Sequence, residues 1–239
     1  MDVLLMKMFQ SVTEGPEALE KSVAQNKEKI TPELASRARQ AFKQAISEQD
    51  GSTAMLAAIL ASRLYGQLGD RFNELRNQID FCQMRFMGAQ TADEYTQVRS
   101  QALQLTNAAK SIPSAPLAFE ALTLAADSAF FASQESSGLD SDDFLVTSLQ
   151  DLLGAIEYAD QVKHDGVFEK FVSLLAAAIN EGMSKFFVDP TQAKVDDLLK
   201  RLAPAVEKTI PVEFEFKGNV EKTANMASIF TQLADRYGN

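Results

Sequence analysis

Apolar residues recur along this chain at spacings of three and four, segment after segment, with polar and turn-forming residues between them. That rhythm predicts amphipathic helices, whose buried stripe returns about every 3.6 residues. Leu34, Ala38, Ala41, Phe42 and Ala45 follow Thr31-Pro32, a hydroxyl to cap the helix and a proline for its first position. Met55, Ile59 and Tyr65 lead into Leu68-Gly69-Asp70, after which Phe72, Leu75, Ile79, Cys82 and Phe86 form another stripe. Thr91 and Glu94 have the spacing of a capping box, in which each satisfies a backbone donor of the other's end. Behind it Tyr95, Val98, Ala102, Leu105 and Ala109 keep the period.

Ile112-Pro113-Ser114-Ala115-Pro116 breaks the pattern. The next helix, about Ala115 to Ser133, is apolar on most sides and is expected to be central. Gln134 to Leu139 is a soft linker, the one candidate sub-boundary in a single domain spanning 1–239. Asp140 then caps a stripe of Leu145, Leu149, Leu152, Ile156 and Ala159. Farther on, Phe171 to Phe187 predicts a second buried helix, Asp189-Pro190 starts another, and Met226, Phe230, Leu233 and Tyr237 mark the last. Short connections between such helices make neighbours antiparallel.

Two segments depart from this plan. Residues 1–12 hold Val3, Leu4, Leu5, Met6, Met8 and Phe9, too apolar for a free tail. They are expected to dock as a cap on the first helix pair; insertion into a partner's groove or a membrane surface are the alternatives. Pro211 to Lys217 alternates with period two, so Val212, Phe214 and Phe216 would share one face of an extended segment. That segment is either a connector packed on helices or a strand that pairs with another molecule.

Composition agrees with helices. Only 11 Gly and 7 Pro in 239 residues leave little material for the turns of a many-stranded protein. A single cysteine, Cys82, closes no intrachain disulfide, and the N-terminus lacks the basic start of a secretory signal, so the cytoplasm is the expected compartment. The net charge of −10 is unevenly spread: residues 112–189 carry 3 basic and 13 acidic side chains, while the rest is nearly balanced. Such a field repels phosphate backbones and attracts basic protein segments. It is also what a solvated acidic face looks like.

Residues 54–86 resemble a tetratricopeptide-type helix pair. Leu64-Tyr65, Leu68-Gly69-Asp70, Phe72 and Glu74-Leu75 are similar to that family's turn between its two helices. The family's usual alanine after the glycine and its closing proline near Met87 are absent. The resemblance implies a helical-repeat fold that presents a groove to a peptide or partner protein.

Catalytic chemistry is sparse. The lone histidine, His164, has Asp160 and Asp165 near it in sequence, but no nucleophile elbow, Walker sequence or Gly-x-Gly-x-x-Gly accompanies it. Zinc and di-iron sites lack ligands of the right type. Asp140-Ser141-Asp142-Asp143 hints at a calcium loop, yet Leu145 stands where the loop needs glycine.

The chain therefore reads as all-α: antiparallel helix pairs stacked as a TPR-like α-solenoid or a compact helical-repeat domain. The expected function is a non-catalytic scaffold or adaptor, its acidic region 112–189 attracting a basic partner. Candidate partner-binding residues are Arg63, Gln67 and Arg99 in a groove, Asp142 and Asp143 in the acidic region, and Phe214 and Phe216 in the extended segment. Two alternatives stand beside it: a subunit that self-assembles through Met1–Phe9 or Val212–Phe216, and a helical small-molecule binder. No cofactor, metal ion, nucleic acid or membrane span is expected.

Overall fold

The computed structural model describes residues 3–112, 114–137 and 139–162. His164, the helices expected after it, and Phe214 and Phe216 lie outside the described residues. Within them the chain is all-α, with eight α-helices, one short 3-10 turn at Lys27–Lys29 and no strand. The helices are α1 (Val3–Glu14), α2 (Pro16–Gln25), α3 (Pro32–Ser47), α4 (Gly51–Gln67), α5 (Arg71–Gly88), α6 (Ala92–Lys110), α7 (Ala115–Gln134) and α8 (Leu139–Val162).

Local chemistry sets the helix ends. Thr31 Oγ1 accepts from the Leu34 N–H at 3.2 Å, with Pro32 at the first position of α3. Asp50 and Asp70 cap α4 and α5 in the same way, accepting from the Thr53 and Asn73 N–H groups at 3.0 and 3.1 Å. The Thr91–Glu94 capping box is present in full at the start of α6. The end of α4 turns through Gly69 at φ 73°, where the Asp70 N–H reaches back to the Tyr65 carbonyl at 3.0 Å. Glycine suits that left-handed position because it has no Cβ to clash. The end of α3 makes the same turn through Gln49 at φ 59°, with Asp50 N–H on the Ala45 carbonyl at 2.9 Å, and no glycine marks it.

One boundary and one side chain differ from expectation. Helix α8 begins at Leu139, so Asp140 lies inside its first turn rather than capping it. There its charge still favours the positive end of the helix dipole. Phe72, read as part of the α5 stripe, is 48% exposed, because it precedes the turn of α5 that reaches the core.

Consecutive helices pack on each other: α3 on α4, α4 on α5, α5 on α6, α6 on α7 and α7 on α8. Packing also reaches one helix further, from α5 to α7, and α1 lies against both α2 and α4. One core gathers Leu5, Met8, Leu19, Val23, Leu34, Leu60 and Leu64 from the first four helices. A second gathers Leu75, Ile79, Cys82, Val98, Leu117 and Leu124 from α5 to α7. Ala45, Ala54 and Met84 form a third, smaller cluster from α3, α4 and α5. The N-terminal helix thus docks through Leu5 and Met8, leaving Val3 and Met6 outward at 64% and 47% exposure.

Helix α7 is long and apolar enough to cross a membrane by length and composition, yet 56% of that stretch is buried against the rest of the chain. Its polar side chains are satisfied internally. Ser128 Oγ donates to the Leu124 carbonyl at 2.7 Å, and Ser148 Oγ of α8 donates to the Ala126 carbonyl at 2.7 Å.

Ion pairs stitch alternate helices. Arg39 of α3 donates to Asp80 and, at 2.8 Å, to Asn77 Oδ1 of α5. Arg76 of α5 engages both carboxylate oxygens of Glu120 on α7. Arg99 of α6 is bidentate on Asp151 of α8, at 2.7 and 3.1 Å. Arginines that the sequence places on helix faces are in these three cases staples between helices two apart.

Candidate functional site

Helices α4, α5 and α6 enclose a half-open groove of about 320 Å³. Helix α4 contributes Ala58, Ile59, Ser62 and Arg63, spaced so that one helical face looks into it. Helix α5 adds Gln78 and Phe81, and α6 adds Gln101, Gln104 and Leu105. The floor is apolar and close-packed, since Ala58 is fully buried and Leu105 is 7% exposed. Its walls carry primary amides, each with two donors and one acceptor.

The charges around the groove are few. Arg63 reaches Glu20 of α2 at 3.1 Å, with both side chains more than half exposed. A pair so open to water is worth about 0–1 kcal/mol and separates readily. Arg85 stands one turn beyond Phe81 on the same face of α5. Its guanidinium donates to Gln101 Oε1 at 3.1 Å and to Gln97 Oε1 at 3.2 Å, and it has no ion-pair partner among the described residues. Glu94 feels that charge, but its Oε2 accepts from the Gln90 and Thr91 N–H groups at 2.9 and 3.2 Å, which hold its carboxyl below the usual range. Glu74, at the other end, shares its carboxylate between Arg71 at 2.8 Å and Gln78 at 3.5 Å.

Of the residues singled out from sequence, Arg63 lines this groove and Gln67 is exposed one turn further along α4. Arg99 is placed elsewhere: it faces α8 and holds Asp151, whose carboxyl burial pushes above the ordinary range against the pull of Arg99. Asp142 and Asp143 both fall near the start of α8, where the Asp143 side chain is exposed. The acidic excess is less open than its sequence map suggests, because Glu120 and Asp151 are spent on Arg76 and Arg99. Glu135, Asp140 and Asp143 remain exposed.

Sequence reasoning missed Gln78, Gln97, Gln101 and Gln104. A signal existed: glutamines at positions 97, 101 and 104 recur at the helical period on one face of α6. Nothing in a single chain says which neighbouring helix such a face meets.

Reactive groups are few among the described residues. No group of three or more His, Cys, Asp or Glu side chains is placed to hold a metal ion there. Cys82 is fully buried, donates to the Val98 carbonyl at 3.5 Å, and has its thiol pushed up to about 11 by burial. A thiol so poorly ionised is an inert packing group at neutral pH.

No protein-family model matches the chain, and no curated protein sequence matches it. Among solved structures, a chain of the DHF58 filament is similar at 15% identity, with 98% of this chain and 94% of that chain covered and a TM-score of 0.27. At that score the likeness carries no argument about fold or assembly.

Proposed function

We propose that this chain is a non-catalytic interaction module, built of stacked helix pairs, that holds an extended segment of another protein in the groove of α4, α5 and α6. The observation that carries the reading is the groove's lining: an apolar floor for a side chain, walled by glutamine amides that can pair with a peptide backbone. Packing between consecutive helices and ion pairs between alternate ones support the stacked arrangement, since hairpin stacks bring each helix beside the second one after it. Exposed Glu135, Asp140 and Asp143 support a separate contact with a basic segment on the α7–α8 side. Gln104→Trp fills the groove from an exposed position, and Gln10→Trp on α1 serves as its control. The first is expected to abolish partner recovery from lysate of the native source while the second leaves it intact; equal recovery by both contradicts the groove.

A second reading is self-assembly through α1, favoured by the outward Val3 and Met6. Val3→Glu with Met6→Glu is then expected to convert an oligomer to a monomer in light scattering. A mass unchanged by the double substitution removes this reading.

A further inference from the structure

The groove's chemistry, taken with the interaction-module reading on which this inference rests, also says what kind of segment it takes. Among the groove-lining residues the single formal charge is positive, on Arg63. Gln78, Phe81 and Arg85 succeed one another on the same face of α5, and Gln97, Gln101 and Gln104 do so on α6. The strip therefore continues from the groove to a second guanidinium, which Gln97 and Gln101 hold in place without a carboxylate. Gln101 belongs to both parts. The nearby carboxylates are committed: Glu94 to the α6 capping box, Glu74 to Arg71 and Gln78. Among the described residues, the ion pair that Arg63 makes with Glu20 is an exposed and weak one.

We infer that the groove binds an acidic extended peptide segment, one carboxylate on Arg63 and a second on Arg85, with the backbone between them paired to glutamine amides. Arg63 carries the planar fork that receives a carboxylate through two N–H groups, and Arg85, with one N–H on each of Gln101 and Gln97, keeps further N–H donors for a second. Spacing follows from the helix register. Gly51 sits against the Met84 side chain and Gly66 against Glu74, which brings Arg63 level with the turn of α5 around Glu74 to Gln78. From that turn to Arg85 is about 10–16 Å at roughly 1.5 Å per residue. An extended chain covers that distance in about three to five residues. This preference is opposite in sign to the basic partner expected for the acidic α7–α8 side, so the two surfaces take different segments.

The test uses the full chain and fluorescein-labelled octapeptides of alanine, serine and leucine. One carries two glutamates four positions apart, one carries two lysines at the same positions, and one has neither. Anisotropy titrations at low salt are expected to show the glutamate peptide binding at least about tenfold tighter than either other peptide. Arg63→Gln and Arg85→Gln should each weaken it by about threefold to tenfold, and Glu20→Gln should tighten it by removing the competitor. Far-UV circular dichroism and protection of the Cys82 thiol show that each variant is folded. Lysine or neutral peptides binding as tightly, with the arginine variants unchanged, overturn the acidic preference and leave the groove as a peptide site. Failure of all three peptides to bind overturns the preference and the groove reading together.

Discussion

Arg39→Met removes the guanidinium that α3 sends to Asp80 and Asn77 of α5, and its cost can be worked from the groups left behind. Asp80 keeps 9% side-chain exposure and Asn77 none of its residue surface, so neither recovers a full water shell. Breaking a buried ion pair from one side costs about 3–5 kcal/mol, because the remaining charge stays buried and unpaired. Arg76 stays 3.9 Å from Asp80 and offsets part of that cost. Loss of the Arg39 contact with the Phe42 ring, 5.1 Å from its centroid, adds back about 0.5–1 kcal/mol. The expected loss is therefore about 3 kcal/mol, a large share of the roughly 5–15 kcal/mol that holds a domain together. Equilibrium urea unfolding followed by circular dichroism measures it, with an unchanged slope showing that the loss is one of stability. Arg39→Met with Asp80→Leu should recover the part of the loss that comes from the unpaired Asp80 carboxylate, since an apolar pair replaces a buried ion pair at little cost. A single-variant cost below about 1 kcal/mol, or a double variant no better than the single, refutes the view that this pair staples α3 to α5.

Three further outcomes are expected. Gln49→Gly should stabilise the chain by about 0.5–1 kcal/mol in the same urea assay, because a side chain in the left-handed region costs about 1–2 kcal/mol and glycine returns part of that as chain entropy. Cys82 should react with an aromatic disulfide at pH 8 at least about a hundredfold more slowly in the folded chain than in urea, as expected from ionisation alone when a thiol moves from 9.0 to about 11. Burial raises the Asp151 pKa above its ordinary 3.8, so the folded chain takes up that proton at higher pH than the unfolded one. Its contribution to stability is then full below pH 3.8 and falls as pH rises through the folded value. The stability difference between the natural chain and Asp151→Asn should shift against the natural chain over that window; a difference flat with pH contradicts the assignment.

The elements that could be read from sequence are those whose signals are local. Thr31-Pro32, the Thr91–Glu94 box and the Gly69-Asp70 turn each carry their chemistry within four residues, and the structure shows all of them. The central position of α7 was legible for a related reason: a helix apolar on most sides must be covered on most sides. The turn at Gln49 was not, because backbone hydrogen bonds rather than glycine impose its conformation. The charge map failed in its tertiary part. Arg76 and Arg99 lie in a balanced stretch, yet their guanidiniums reach across to Glu120 and Asp151 in the acidic one. The groove is of the same kind: its walls lie on three helices, and pairing those faces requires the packing itself.

The central claim is that the face shared by α4, α5 and α6 receives another chain, and site-directed photo-crosslinking tests it most directly. A benzophenone side chain placed at Gln104, exposed at the groove wall, is compared with one at Gln10 on the outer side of α1. In cells of the native source, the account predicts one discrete adduct from position 104, reduced by Arg63→Gln, and no matching adduct from position 10. The same adducts from both positions, or none from position 104, would contradict it.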